Sequence, residues 1–147
     1  MSSKDAISLE ERIKGELYLN RADALAKHFL TVKTLLRIRP EDGGIHLLTP
    51  EVLSGKLRVL TYMVGKLFAH AADESHKGRV GNEELVRELG IRMGSLLPYL
   101  KRLRDEGFIA AQLEGKRSFH SVRLSCLDKA MECIVSSLAK HKKESEE

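Results

Sequence analysis

The chain of 147 residues has no tryptophan, three prolines, two cysteines and only 5% aromatic residues. Each shortage excludes something. With four Phe, three Tyr and no Trp, the core has to be built from Leu, Ile, Val, Met and Ala. Long apolar runs are missing as well: none approaches the roughly 20 residues needed to cross a bilayer. The opening MSSKDAISLEER lacks the apolar stretch of a secretory signal, so a cytoplasmic chain is expected. If Cys126 and Cys133 share a helix, the rise per residue separates their Cα atoms by roughly 10 Å. A disulfide needs them within about 7 Å. Two reduced, half-buried thiols are expected, with an interchain disulfide as the alternative.

Chemistry is scarce too. The sequence has no Gly-rich phosphate loop, no Cys pair at zinc spacing and no nucleophile elbow. Its six histidines are scattered. The nearest approach to a ligand set, His70, Asp73 and His76, spans a helix end and a loop, which suits surface residues better than a metal site. No catalytic, cofactor or metal site is expected, and the chain does not read as an enzyme.

What is present is a chain long enough to bury a core without staples. Its formal charge is +4 and its pI about 9.1, which permits a nucleic-acid partner without requiring one. The excess is not spread evenly. From Arg92 to Arg123 there are seven Lys or Arg against three acidic residues, a local +4, so the remainder sums to zero.

Ser8 and Glu11 fit a capping box opening a helix that runs to about Leu19, with Ile7, Leu9, Ile13 and Leu17 at helical spacing. Asn20 suits the cap of a second helix, with Ala22, Leu25, Ala26 and Phe29 on its apolar face. Residues 35–39 and 45–48 flank Pro40-Glu41-Asp42-Gly43-Gly44 and read as a hairpin, whose first strand could instead end the preceding helix. Thr49-Pro50-Glu51 marks a helix start. Gly55 separates a short turn from a long helix over 56–72, whose wide stripe of Leu57, Leu60, Val64, Leu67, Phe68 and Ala71 makes it the expected centre of the core. Arg79-Val80 reads as a short strand.

The next stretch organises the rest. Asn82 suits an N-cap, and Glu83 and Glu84 suit the positive end of the helix dipole. Leu85, Val86 and Leu89 face inward, Gly90 permits a left-handed stop, and Ile91 fills the angle to a second helix over about 93–106. Leu96, Leu100 and Leu103 bury one side of that helix. Gly107 ends it, and two strands follow, joined by Glu114-Gly115-Lys116-Arg117. The series Glu84-Leu85, Leu89-Gly90-Ile91, Leu100-Lys101-Arg102-Leu103 and Glu106-Gly107-Phe108-Ile109 resembles the winged helix-turn-helix of prokaryotic transcription regulators over about residues 56–124. The resemblance implies a recognition helix at about 93–106 lying in the major groove of double-stranded DNA, and a wing at about 112–119 touching backbone or minor groove.

Carried over position by position, Arg92, Met93 and Ser95 open that helix, where phosphates or base edges are met. Arg102 could reach a guanine edge, and Tyr99 would share its exposed side. Lys101 and Arg104 suit phosphates at the groove rim, and Lys116 and Arg117 at the wing tip suit backbone contact. Each has a plainer reading: Lys101, Arg102 and Arg104 as a solvated helix face, Lys116 and Arg117 as a soluble hairpin tip, Tyr99 as a residue packed on the hairpin. Leu97 and Pro98 depart from the pattern. An apolar surface there could touch thymine methyls, or dock a protein, which makes a winged-helix interaction module without direct DNA contact the alternative function.

Leu127, Ala130, Met131, Ile134 and Leu138 make the stripe of a last helix, capped by Ser125. A homodimer through this helix or through the N-terminal helices is expected, the other option being that these helices pack on their own core. The expected fold is mainly α with a small β component, an α+β winged helix-turn-helix over 49–124, preceded by an N-terminal extension (1–48) packed on the core and followed by a C-terminal helix (125–147).

Overall fold

In the computed structural model, described for residues 3–146 with side chains from 8 to 144, the chain is mainly helical with a small antiparallel sheet. Helix α1 spans Ser3–Arg12 and passes into a wider π-turn at Ile13–Leu17. Ser8 therefore lies within α1 and does not cap it; the side chain of Ile7 is outside the described ones. Helix α2, Arg21–Lys27, starts where Asn20 predicts, and the Asn20 side chain accepts the Asp23 amide at 3.1 Å. Helix α3, Phe29–Leu35, leads directly into strand β1, Leu36–Ile38, which pairs with β2, Ile45–Leu47. Gly43 supplies the positive φ of 74° that the turn between them requires.

A 3-10 turn at Pro50–Val52 precedes α4, Gly55–Ala72. Thr49 stands at the N-cap position of the 3-10 turn without a side-chain bond, and Ser54 caps α4 by accepting the Leu57 amide. Val59, Leu60, Tyr62, Met63 and Val64 of α4 are fully buried; of the expected stripe Leu60 and Val64 are buried, Leu57, Leu67 and Phe68 are half-buried, and Ala71 is exposed. Gly65 is needed there: a Cβ would sit 2.8 Å from the Ile45 side chain. Strand β3 (Val80–Gly81), α5 (Asn82–Leu89), α6 (Met93–Asp105), β4 (Ile109–Glu114) and β5 (Arg117–Val122) follow, and the three strands order as β3-β5-β4. Helix α7, Leu127–Glu146, closes the chain.

The two ends of the chain use their apolar residues differently. Leu127, Ala130, Met131 and Ile134 of α7 lie in the same hydrophobic cluster as α4 and α6. Leu25, Val32, Leu35, Leu36, Ile45 and Leu47 of the extension join that cluster as well. The packing expected for the whole of residues 1–48 fails for the first helix, because Leu9, Ile13, Leu17, Tyr18 and Leu19 are exposed, and Phe29 with them.

Polar clamps bind the layers. The Arg39 guanidinium donates twice to Glu88 and twice to Asp42. These bonds hold the Glu88 carboxyl below its ordinary value and take Asp42 to about 2. Glu84 of α5 accepts from Tyr62 Oη at 2.6 Å and from Lys66 Nζ at 3.1 Å, which satisfies a lysine that is itself buried. Asp128 of α7 takes bonds from His28 and Lys27, and they hold its carboxyl low.

Candidate nucleic-acid interface

Helix α5 ends at Gly90, whose φ of 64° is left-handed, and Ile91 is buried at 9% exposure in the corner that follows. Arg92 is extended, with ψ 147°, and its carbonyl accepts the Ser95 and Leu96 amides at 3.0 and 2.9 Å. These bonds start α6. Leu96, Leu100 and Leu103 are buried, which turns the remaining positions outward: Met93, Ser95, Leu97, Pro98, Lys101, Arg102 and Arg104 are all exposed. The helix runs through Pro98 without a break. Pro98 removes the amide that would have met the Gly94 carbonyl, and Gly94, with nothing within 4 Å of where a Cβ would lie, adds no crowding.

The hairpin expected as the wing is β4 and β5, joined at Gly115 (φ 64°) with Glu114 opposite Arg117. Lys116 and Arg117 at its tip are exposed. Arg79, just before β3, braces the hairpin by pairing with Glu114, while its guanidinium lies 4.5 Å over the Phe119 ring. Two clefts lie beside this hairpin. One of about 410 Å³ lies between Asn82, Glu83, Glu84 and Arg87 of α5 and Lys116, Arg117 and Phe119 of the hairpin, with Met93 of α6 also lining it. The second, about 530 Å³, lies between Leu97, Pro98, Lys101 and Arg104 of α6 and Ser118 and His120 of β5. The start of α6 and the wing tip thus border one opening, although they are separated along the chain by β4 and its turn.

Not every expected contact residue is on this surface. Tyr99 is half-buried in the core cluster, with its ring over Gly55 at the start of α4; a Cβ on Gly55 would be 2.6 Å from the ring. It packs α6 against α4 and is half-buried, not on the fully exposed side expected for it. Asn82 is likewise not the N-cap of α5, a position held by Gly81. Its Oδ1 instead accepts from Nε2 of His120 at 2.7 Å.

His120 went unnoticed in the sequence. It is 2% exposed, its Nδ1 has no partner among the described residues, and burial together with the Arg104 charge lowers its pKa. The available signal was the alternation of β5, which puts His120 and Val122 on the inward side.

Cations away from this face divide: Lys27 is held by Asp128, Arg39 by Glu88, Lys56 by Glu106, Lys66 by Glu84 and Arg79 by Glu114, whereas Arg21, Lys33, Arg37, Arg58, Lys77 and Lys129 form no ion pair among the described residues. On α6 and the wing, Lys101 pairs loosely with Asp105 at 3.8 Å, with both side chains well exposed. Among the described residues, Arg92, Arg102, Arg104, Lys116 and Arg117 form no ion pair. His70, Asp73 and His76 do not converge as a ligand set: His70 Nδ1 bonds the His76 carbonyl, and no group of metal-binding side chains is found among the described residues. Among the described residues no helix is long and apolar enough to cross a membrane. The free thiols of Cys126 and Cys133 form no intrachain disulfide. No protein-family model, curated protein or solved structure matches the chain.

Proposed function

We propose that residues 49–124 are a winged helix-turn-helix that binds double-stranded DNA, with α6 as the recognition helix and the β4–β5 hairpin as the wing, and that the chain acts as a non-catalytic, cytoplasmic regulator of transcription. One observation carries the reading: Arg92, Arg102, Arg104, Lys116 and Arg117, gathered along α6 and at the tip of the hairpin, are exposed with no carboxylate partner among the described residues, and Lys101 pairs only loosely with Asp105. Unpaired cations lining one surface suit a polyanion, because each phosphate neutralised releases a condensed counterion. The element order α4-β3-α5-α6-β4-β5 and the strand order β3-β5-β4 support it. Arg92, Ser95 and Arg102 are the residues placed to meet base edges or phosphates, with Lys101, Arg104, Lys116 and Arg117 on the backbone.

The test is binding of a mixed-sequence duplex, followed by fluorescence anisotropy across a salt series. Log affinity is expected to fall linearly with log salt. Lys116→Ala with Arg117→Ala is expected to weaken binding on all sequences and flatten the slope by about two. Absence of binding at low salt overturns the reading. Exposed Leu97 and Pro98 favour a second one, in which α6 docks a protein without touching DNA.

A second copy of the chain is the proposed partner for the exposed apolar surface of residues 9–30. Residues 8–30 carry four basic and four acidic side chains, so two copies meet there without net repulsion. The stripe of α7 is already buried within the chain, which leaves the N-terminal segment for this role. Sedimentation is expected to show a dimer that Leu9→Asp with Leu17→Asp converts to monomer; a wild-type monomer at high concentration removes the proposal.

A further inference from the structure

Helix α6 carries apolar side chains inside its cationic face. Met93 and Leu97, one turn apart, are 41% and 49% exposed, and Pro98 next to Leu97 is exposed as well. Leu97 and Pro98 share their cleft with Lys101 and Arg104. Met93 shares its own with Lys116 and Arg117. These apolar groups therefore border the same openings as the cations that would hold a phosphate backbone.

The composition of the helix narrows what it could recognise. MGSLLPYLKRLRD contains neither Asn nor Gln, the side chains whose amide ends pair with both N6 and N7 of adenine. Arg and Lys match guanine O6 and N7. In the major groove an A·T pair then offers this helix one feature that its Leu and Pro can touch, the 5-methyl group of thymine. We infer that Leu97, with Pro98 beside it, is a specificity residue that recognises pyrimidine 5-methyl groups, so that the preferred duplex carries thymine beneath the middle of α6. The inference rests on the DNA-binding reading above. The surroundings favour a nucleic acid over a protein occupant, because a docking partner would have to cover Lys101, Arg104, Lys116 and Arg117 along with the leucine, and among these only Lys101 has a carboxylate partner of its own.

The experiment replaces one atom group of the ligand. A duplex pool selected by the full-length protein from random sequence is re-synthesised with uracil for thymine, which removes the methyl and leaves the hydrogen-bonding edge intact. Wild-type protein is expected to bind the uracil pool more weakly by about fourfold for each methyl contacted, the factor expected for one buried CH₂-sized group. Leu97→Ala, checked for unchanged circular dichroism, is expected to lose the same factor on the thymine pool and nothing on the uracil pool. Equal wild-type affinity for the two pools overturns the inference, and so does a Leu97→Ala loss of the same size on both. In either case the DNA-binding reading survives if Lys116→Ala with Arg117→Ala still weakens binding. No selection and no binding of any duplex removes both.

Discussion

The first and last helices, α1 and α7, both carry apolar residues at helical spacing, yet they end in opposite environments. Ile134 and Ala130 of α7 are fully buried, while Leu9 and Leu17 at the other end are 61% and 76% exposed. The period of an amphipathic stripe says that a helix has a face to cover. What covers it is decided by where the chain passes next. Helix α7 emerges from β5 alongside α4 and is tied to α2 through Asp128. Helix α1 precedes the first residue of the core cluster, Leu25, with the exposed stretch Tyr18–Leu19 between them.

The strongest way to break this comparison is at Ile134. Ile134→Ala removes buried methyl groups and is expected to cost about 2–5 kcal/mol of stability, read as a lower urea midpoint. A cost near zero would mean that α7 is not part of the core. Acid should act next. Asp42, Glu88 and Asp128 all have carboxyls held below their ordinary values by hydrogen bonds from Arg39 or from His28 and Lys27. The unfolded chain then binds protons first, so stability is complete above the ordinary carboxylate range and falls as pH drops through it toward the folded values, about 2 for Asp42. Arg39→Ala and Asp128→Asn are each expected to shallow that fall in an acid titration followed by thermal melting; unchanged profiles would show that these bonds do not persist in solution. The smallest expected effect is at the opposite end. Leu9→Asp with Leu17→Asp, measured at concentrations where the chain is monomeric, is expected to shift stability by no more than about 0.5 kcal/mol. A loss comparable to that of Ile134→Ala would erase the distinction between the two helices.

Much of the fold was legible because its signals are local. Asn20 caps α2, Gly43, Gly90, Gly107 and Gly115 take the positive φ that a turn or helix stop requires, and Leu96, Leu100 and Leu103 mark the buried side of α6. The capping box at Ser8 misled, because α1 had already started upstream. The candidate site was legible as a local excess of charge at Arg92, Lys101, Arg102, Arg104, Lys116 and Arg117. Which cations elsewhere were neutralised was not, since Arg39 meets Glu88 and Lys56 meets Glu106 across about half a hundred residues of chain. The roles of Tyr99 and Asn82 were hidden for the same reason: Gly55 and His120, their partners, are distant in sequence and adjacent only after folding.

The close approach of Ile45 to Gly65 has a consequence for how the chain can be divided. Ile45 belongs to the hairpin of the extension and Gly65 to the middle of the central helix, and the hairpin is also fastened to α5 through Arg39 and Glu88. A cut at residue 48 would therefore pass through the hydrophobic interior and not along a linker. It would strip one wall from α4 and take the Arg39 guanidinium from Glu88, so residues 36–47 cannot be treated as a detachable arm. The hairpin, α4 and α5 share one hydrophobic interior, so part of the wall against which α6 packs is built from residues far from it in sequence.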